Sequence, residues 1–180
     1  MHQSWSKIRK KLEQEYLCES LKGHVQYFFT IYHGGPDDPG RFAVRVDGKE
    51  VWNAHAYNEG AYDRIATELK RGQQVPRREW DGRQIVNDEA NRLVENQAVK
   101  AANEIGIAST WDVISSIEEY FNLSIEDALQ SPNAIIRMLA ILDRRVGKRT
   151  LQRYSPVWRN DSSWLKLFIE LRMHAERLKL

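Results

Sequence analysis

Five cations in the last third of the chain, Arg137, Arg144, Arg145, Lys148 and Arg149, are the residues best suited to chemistry by type and spacing. On one continuous helix, Ile135, Leu139, Leu142 and Val146 share a face, and Arg137, Arg144 and Lys148 fall within about 40° of one another on the opposite side. Arg145 and Arg149 flank that row. Cations in line on a solvated face match successive phosphates, and a guanidinium can hold an anion through two parallel hydrogen bonds. A purely structural account competes with this: cations in the last turn of a helix favour its dipole, and Gly147 is a suitable stop. The pattern specifies no groove and no base.

A second place for chemistry is His33 with Asp37 and Asp38 in a Gly- and Pro-rich loop, together with His55 on an expected strand. These could meet as a metal or acid-base site, which makes a metal-dependent hydrolase the alternative to a binding protein. No two of them sit at a recognised ligand spacing, so solvated loop charges plus one His in a sheet are the better account. The loop has prolines where a phosphate loop needs free backbone donors, and no Lys-Ser or Lys-Thr pair follows it. Glu104, Asp112, Glu118, Glu119, Glu126 and Asp127 supply carboxylates without a Glu-x-x-His pair. No nucleophile elbow surrounds any Ser. Accordingly no catalytic residue, metal ligand or cofactor is assigned.

The chain that must position these groups has 180 residues, 42% of them hydrophobic, with six Trp, seven Tyr and five Phe, enough for one packed core. Its net charge of +2 conceals a segregation: residues 76–136 carry 5 cations against 11 acids, and residues 137–180 carry 11 against 4. The basic end therefore either complements the acidic middle or serves an anionic partner, nucleic acid or an acidic protein surface. The lone Cys18 excludes an intrachain disulfide and reads as a small core hydrophobe. The N-terminus lacks the apolar run of a secretory signal, and no segment approaches the roughly 18 apolar residues of a membrane span. A cytoplasmic protein without membrane contact is expected.

Periodicity supplies the elements. Trp5, Ile8, Leu12, Tyr16 and Leu17 predict an amphipathic helix over 4–21, and strands follow at 24–32, about 42–46 and 49–57. Asp47-Gly48 is a two-residue hairpin signal; it sets Val46 against Lys49, Arg45 against Glu50, Val44 against Val51 and Ala43 against Trp52. Helices are expected at 58–71 and, with Val86, Ala90, Leu93, Val94, Ala98 and Ala101 inward, at 83–105, joined by a polar connection over 73–82. Ser109 with Asp112, Ser124 with Asp127, and Ser131 before Pro132 mark three further helix starts. A last helix carries Trp164, Phe168, Leu171, Ala175 and Leu178 on one stripe, capped by Asp161 or Ser162, and could pair with a second copy. The fold class is α+β: an N-terminal helix on a three-stranded antiparallel sheet, then a mostly helical C-terminal half. We expect one domain over 1–180, with a sheet subregion at 1–72 and a helical subregion at 73–180.

Four strings recur in this order in a family of small bacterial proteins of unassigned function that the whole chain resembles: Trp5-Ser-Lys-Ile8, Val46-Asp-Gly-Lys-Glu50, Leu142-Asp-Arg-Arg-Val-Gly-Lys-Arg149 and Trp164-Leu-Lys-Leu-Phe-Ile-Glu-Leu-Arg172. The resemblance implies no activity. Residues 4–71 also resemble a double-stranded-RNA-binding domain in element order, and Gly35-Pro-Asp-Asp-Pro-Gly-Arg-Phe-Ala-Val-Arg-Val46 is similar to its first two strands. Where that family places phosphate-binding lysines, at the start of the second helix, this chain has Glu59 and Asp63. The functional expectation is a non-enzymatic binding protein of a bacterial cytosol whose basic helix contacts nucleic acid.

Overall fold

The computed structural model describes residues 4–31, 40–55, 58–158 and 163–179. The loop with His33, Asp37 and Asp38, and the expected caps Asp161 and Ser162, lie outside them. Helix α1 (Trp5–Lys10) continues as a π-helical segment, Lys11–Tyr16, and buries Ile8 and Leu12. It stops short of the expected Leu21 because a distant partner takes over the backbone: Leu17 pairs with Asp143 as an isolated antiparallel bridge. The Cys18 amide also donates to the Leu142 carbonyl at 3.0 Å. Cys18 itself is buried, as its apolar neighbours predict.

Strands β1 (Val25–Ile31), β2 (Gly40–Val46) and β3 (Lys49–His55) form an antiparallel sheet in that order. Asp47 (φ 49°) and Gly48 (φ 77°) both take the left-handed conformation that the tightest hairpin turn requires. The first two expected pairs, Val46 with Lys49 and Arg45 with Glu50, are present, but a bulge then sets Val44 against Trp52 and Phe42 against Ala54. Without it Asn53 would lie opposite the fully buried Phe42; with it Trp52 and Ala54 reach the core instead. Glu50 accepts a hydrogen bond from Arg41, while Arg45 stacks 4.3 Å over the Phe28 ring. Trp5 closes this face, edge-on to Phe42.

Helices α2 (Glu59–Gly72) and α3 (Asp88–Glu104) pack along each other. A small ribbon, β4 (Glu79–Trp80) with β5 (Ile85–Val86), stands between them in sequence, within and beyond what reads as polar connection. The ribbon and a left-handed Asn87 (φ 60°) postpone the start of α3 to Asp88. Its buried face is Asn91, Val94, Ala98 and Ala102, so Leu93 and Ala101, expected inward, are exposed. Gly106 ends the helix at φ 84°, and a Cβ there would lie 2.9 Å from the Trp164 ring. Trp164 stacks on Trp52 with centroids 5.0 Å apart. Their indole N–H groups donate to the carbonyls of Asn103, Glu104 and Gly106, satisfying the open end of α3.

The remaining helices are α4 (Thr110–Tyr120), α5 (Ile125–Leu129), α6 (Ala134–Leu142), α7 (Lys148–Trp158) and α8 (Ser163–Ala175). Ser109 and Asp112 form a full capping box, and Ser124 caps α5. The third cap is Asn133 rather than the Ser131-Pro132 step: the Asn133 side chain accepts from the Ile135 amide, and the Ser131 hydroxyl accepts from the Asn133 amide. Helix α6 is the centre of the helical half. All of its residues except Arg137 are buried, so it is apolar all round and has no solvated face. Helix α8 buries Leu165, Phe168, Ile169 and Met173 against this core, a stripe rotated from the expected one by the inclusion of Arg172. The architecture is thus α+β, an N-terminal helix and three-stranded sheet followed by a mostly helical half.

Candidate functional site

The basic string does not lie on one helix. Asp143 (φ −73°, ψ 137°) is extended, and the chain turns through Asp143–Gly147 before α7 starts at Lys148. The expected row of Arg137, Arg144 and Lys148 is therefore not formed. The physical reason is the pairing of the 142–144 backbone with the N-terminal segment: besides Leu142 with Cys18, the Arg144 amide donates to the Tyr16 carbonyl at 2.7 Å. A nonlocal strand-like contact, invisible to helical periodicity, ends the helix.

The five cations consequently have different fates. Arg137, on the central helix, donates to the Ser131 carbonyl at 2.8 Å and to both carboxylate oxygens of Glu104 at 3.1 Å. It is an internal link between the basic end and the acidic middle. Arg145 is tied to Asp143, whose side chain is fully buried: that carboxylate accepts from the Arg145 amide at 2.6 Å, from its Nε at 2.9 Å and from the Tyr120 hydroxyl. The Arg145 guanidinium also lies 4.8 Å from the Tyr16 ring centre. Burial, then the neighbouring Asp143 charge, push the Tyr120 hydroxyl far above its ordinary range, so it stays a donor. The Arg145 guanidinium is held charged by Asp143 and Tyr120 against partial burial.

Arg144, Lys148 and Arg149 are exposed. Lys148 reaches the Glu176 carbonyl at 3.1 Å and its carboxylate at 3.7 Å, yet its side chain keeps 60% of its exposure. Lys148 and Arg149 stand in the first turn of α7, which contains no acid. That is the opposite helix end from the one their sequence suggests, and the dipole there opposes cations rather than favouring them. Lys11 neighbours Arg145, lying 4.0 Å over the Phe121 ring and 5.6 Å from Tyr16, the ring it shares with Arg145.

Beneath the turn sits Arg172, 2% exposed, donating to the carbonyls of Val146 at 2.8 Å and Leu142 at 3.3 Å and paired with Glu176 at 3.3 Å. Sequence reading passed over Asp143, Tyr120, Lys11 and Arg172. For Arg172 a signal existed, since Leu165, Phe168, Ile169 and Arg172 follow the spacing of one helix face. His55, from the other candidate set, lies on β3 with its amide donating to Ala108. Among the described residues no cluster of three or more His, Cys, Asp or Glu could hold a metal ion.

What this defines is an α+β protein with an exposed cationic turn anchored through Arg145 on the buried Asp143 and Tyr120, and among the described residues no helix is long and apolar enough to cross a membrane. The chain matches the model of the SF0329 protein family over residues 4–173, and it belongs to that family. Compared with curated proteins and with solved structures, it matches none.

Proposed function

We propose that this is a non-enzymatic binding protein of a bacterial cytosol that contacts the phosphate backbone of nucleic acid through Arg144, Lys148 and Arg149, with Lys11 and Arg145 beside them. The observation that carries the reading is the placement of Lys148 and Arg149 at the N-terminal end of α7. Cations at that end cost the free chain on the order of 0.3–1 kcal/mol each, and an anion bound there relieves the cost. The first amides of a helix have no partner inside it, so they too are disposed toward an anion. A phosphate takes hydrogen bonds from such amides and from guanidinium groups together. Arg137 drops out of the interface because its guanidinium serves Glu104 and Ser131. The resemblance to a double-stranded-RNA-binding domain adds nothing, since α2 lies along α3 and carries Asp63 at the relevant turn.

The test is equilibrium binding to single- and double-stranded RNA and DNA at two or more salt concentrations. Each phosphate contact contributes about 0.7–0.9 to the slope of log K against log salt, so the triple Ala variant at Arg144, Lys148 and Arg149 should flatten it by about 2–3. Salt-insensitive binding, or binding unchanged in the triple variant, overturns the reading. Capture of poly-L-glutamate without nucleic acid would transfer the surface to an acidic protein partner.

A further inference from the structure

Helices α3 and α4 face each other across a cleft of about 490 Å³, in the range of small-molecule sites. On α3 the lining residues are Asn96, Val99, Lys100 and Asn103; on α4 they are Asp112, Ser115, Ser116 and Glu119. Both sets follow the i, i+3, i+4, i+7 spacing of one helix face, the spacing at which packed helices normally carry apolar residues. Here seven of the eight are polar, so the two faces line a cleft in place of a packed seam.

The floor of the cleft is prearranged. Asn133, besides capping α6, donates from its amide nitrogen to the Ser116 hydroxyl at 2.9 Å, and Ser116 donates in turn to the Asp112 carbonyl. One Asp112 oxygen accepts from the Ser109 amide and hydroxyl and from Tyr62. Asn103 is 8% exposed and lines the cleft, and its Oδ1 is buried without a hydrogen-bond partner. Such an atom costs stability unless something donates to it. The two walls also carry opposite charges that do not meet: Lys100 on α3 and Glu119 on α4 are exposed and form no ion pair among the described residues.

We infer that this cleft is a binding site for a small zwitterion of the amino-acid class, its ammonium toward Glu119 and its carboxylate toward Lys100. The site is separate from the cationic turn, and its existence does not depend on nucleic-acid binding. Opposite charges on opposing walls select a molecule carrying both signs, while the fixed hydroxyl and amides of Ser116 and Asn133 accept further polar groups.

The experiment is an amide chemical-shift titration of the full chain with the common amino acids singly, and for any binder with its N-acetyl and carboxamide forms. Saturable shifts confined to 96–103, 112–119 and 131–133 are expected for the zwitterion. Because Lys100 and Glu119 are exposed, Lys100→Met and Glu119→Gln leave the fold intact, and each should weaken the zwitterion about ten- to a hundredfold. Glu119→Gln should have no effect on the N-acetyl form, which lacks the ammonium, and Lys100→Met none on the carboxamide. Absence of saturable shifts, equal binding of all three forms, or binding indifferent to both variants overturns the inference.

Discussion

Apart from the exposed Arg144, which sides with the second, the two halves of Leu142-Asp-Arg-Arg-Val-Gly-Lys-Arg149 carry cations that behave oppositely. In the first half Asp143 is buried and Arg145 is ordered by a carboxylate, a phenol and a ring face. In the second half Lys148 and Arg149 stand in solvent at a helix end that opposes them. A cation that answers a buried acid is architecture; one placed where the local field is already positive is available to a ligand. Density of Arg and Lys in the sequence does not separate the two, whereas the position of the break at Asp143 does.

Asp143→Ala removes the group on which the first half depends. It leaves the Tyr120 hydroxyl without its acceptor and Arg145 without its carboxylate, and should cost about 3–5 kcal/mol in chemical denaturation. A loss below about 1 kcal/mol would show that the first half is as dispensable as the second. Arg172→Met comes next. It removes a buried cation, which is favourable, but strands the Val146 carbonyl and unties Glu176. The unsatisfied carbonyl should win, with a net loss of about 1–3 kcal/mol. By contrast Arg144→Ala and Arg149→Ala should each stay within about 0.5 kcal/mol of the parent, their effect appearing only in the salt dependence of binding.

Which parts of this were legible follows from how local each cause is. Asp47-Gly48 forces its hairpin from two residues, and the Ser109 and Ser124 caps act within one turn, so these elements read directly from the chain. The bulge after Val44 answers to Phe42 across the sheet and could not be read from strand alternation. The end of α6 depends on Tyr16, Leu17 and Cys18, far away in sequence, and their backbone pairing rearranged the candidate site. Arg172 has the spacing of the buried face, but the carbonyls of Leu142 and Val146 that receive its guanidinium come together only in the fold. The aromatic pair Trp52 and Trp164 shows the same limit, since each indole is explained only by the carbonyls that end α3.

The carboxylates of the fold divide between buried and exposed as its cations do. Glu95 on α3 accepts from Arg78 at 2.8 and 2.9 Å and from Lys70 at 2.7 Å, but unlike Asp143 it stays 38% exposed. Hydrogen bonds from Arg78 and then Lys70 pull its carboxyl from 4.5 down to about 2. A depressed acid stabilises the fold above its unfolded pKa and stops doing so as pH falls through the folded value. Between pH 4.5 and about 2 the unfolded chain binds a proton at Glu95 that the folded chain does not, so its contribution should fade across that window. Solvent screening keeps the contribution small. Glu95→Gln should therefore lower stability slightly at pH 7 and converge with the parent by pH 2, as followed by urea unfolding at a series of pH values. A difference that persists unchanged at pH 2 would mean that Glu95 acts through packing or neutral hydrogen bonds, as a buried group does, and the distinction between exposed and buried charge would not extend to the acids of this protein.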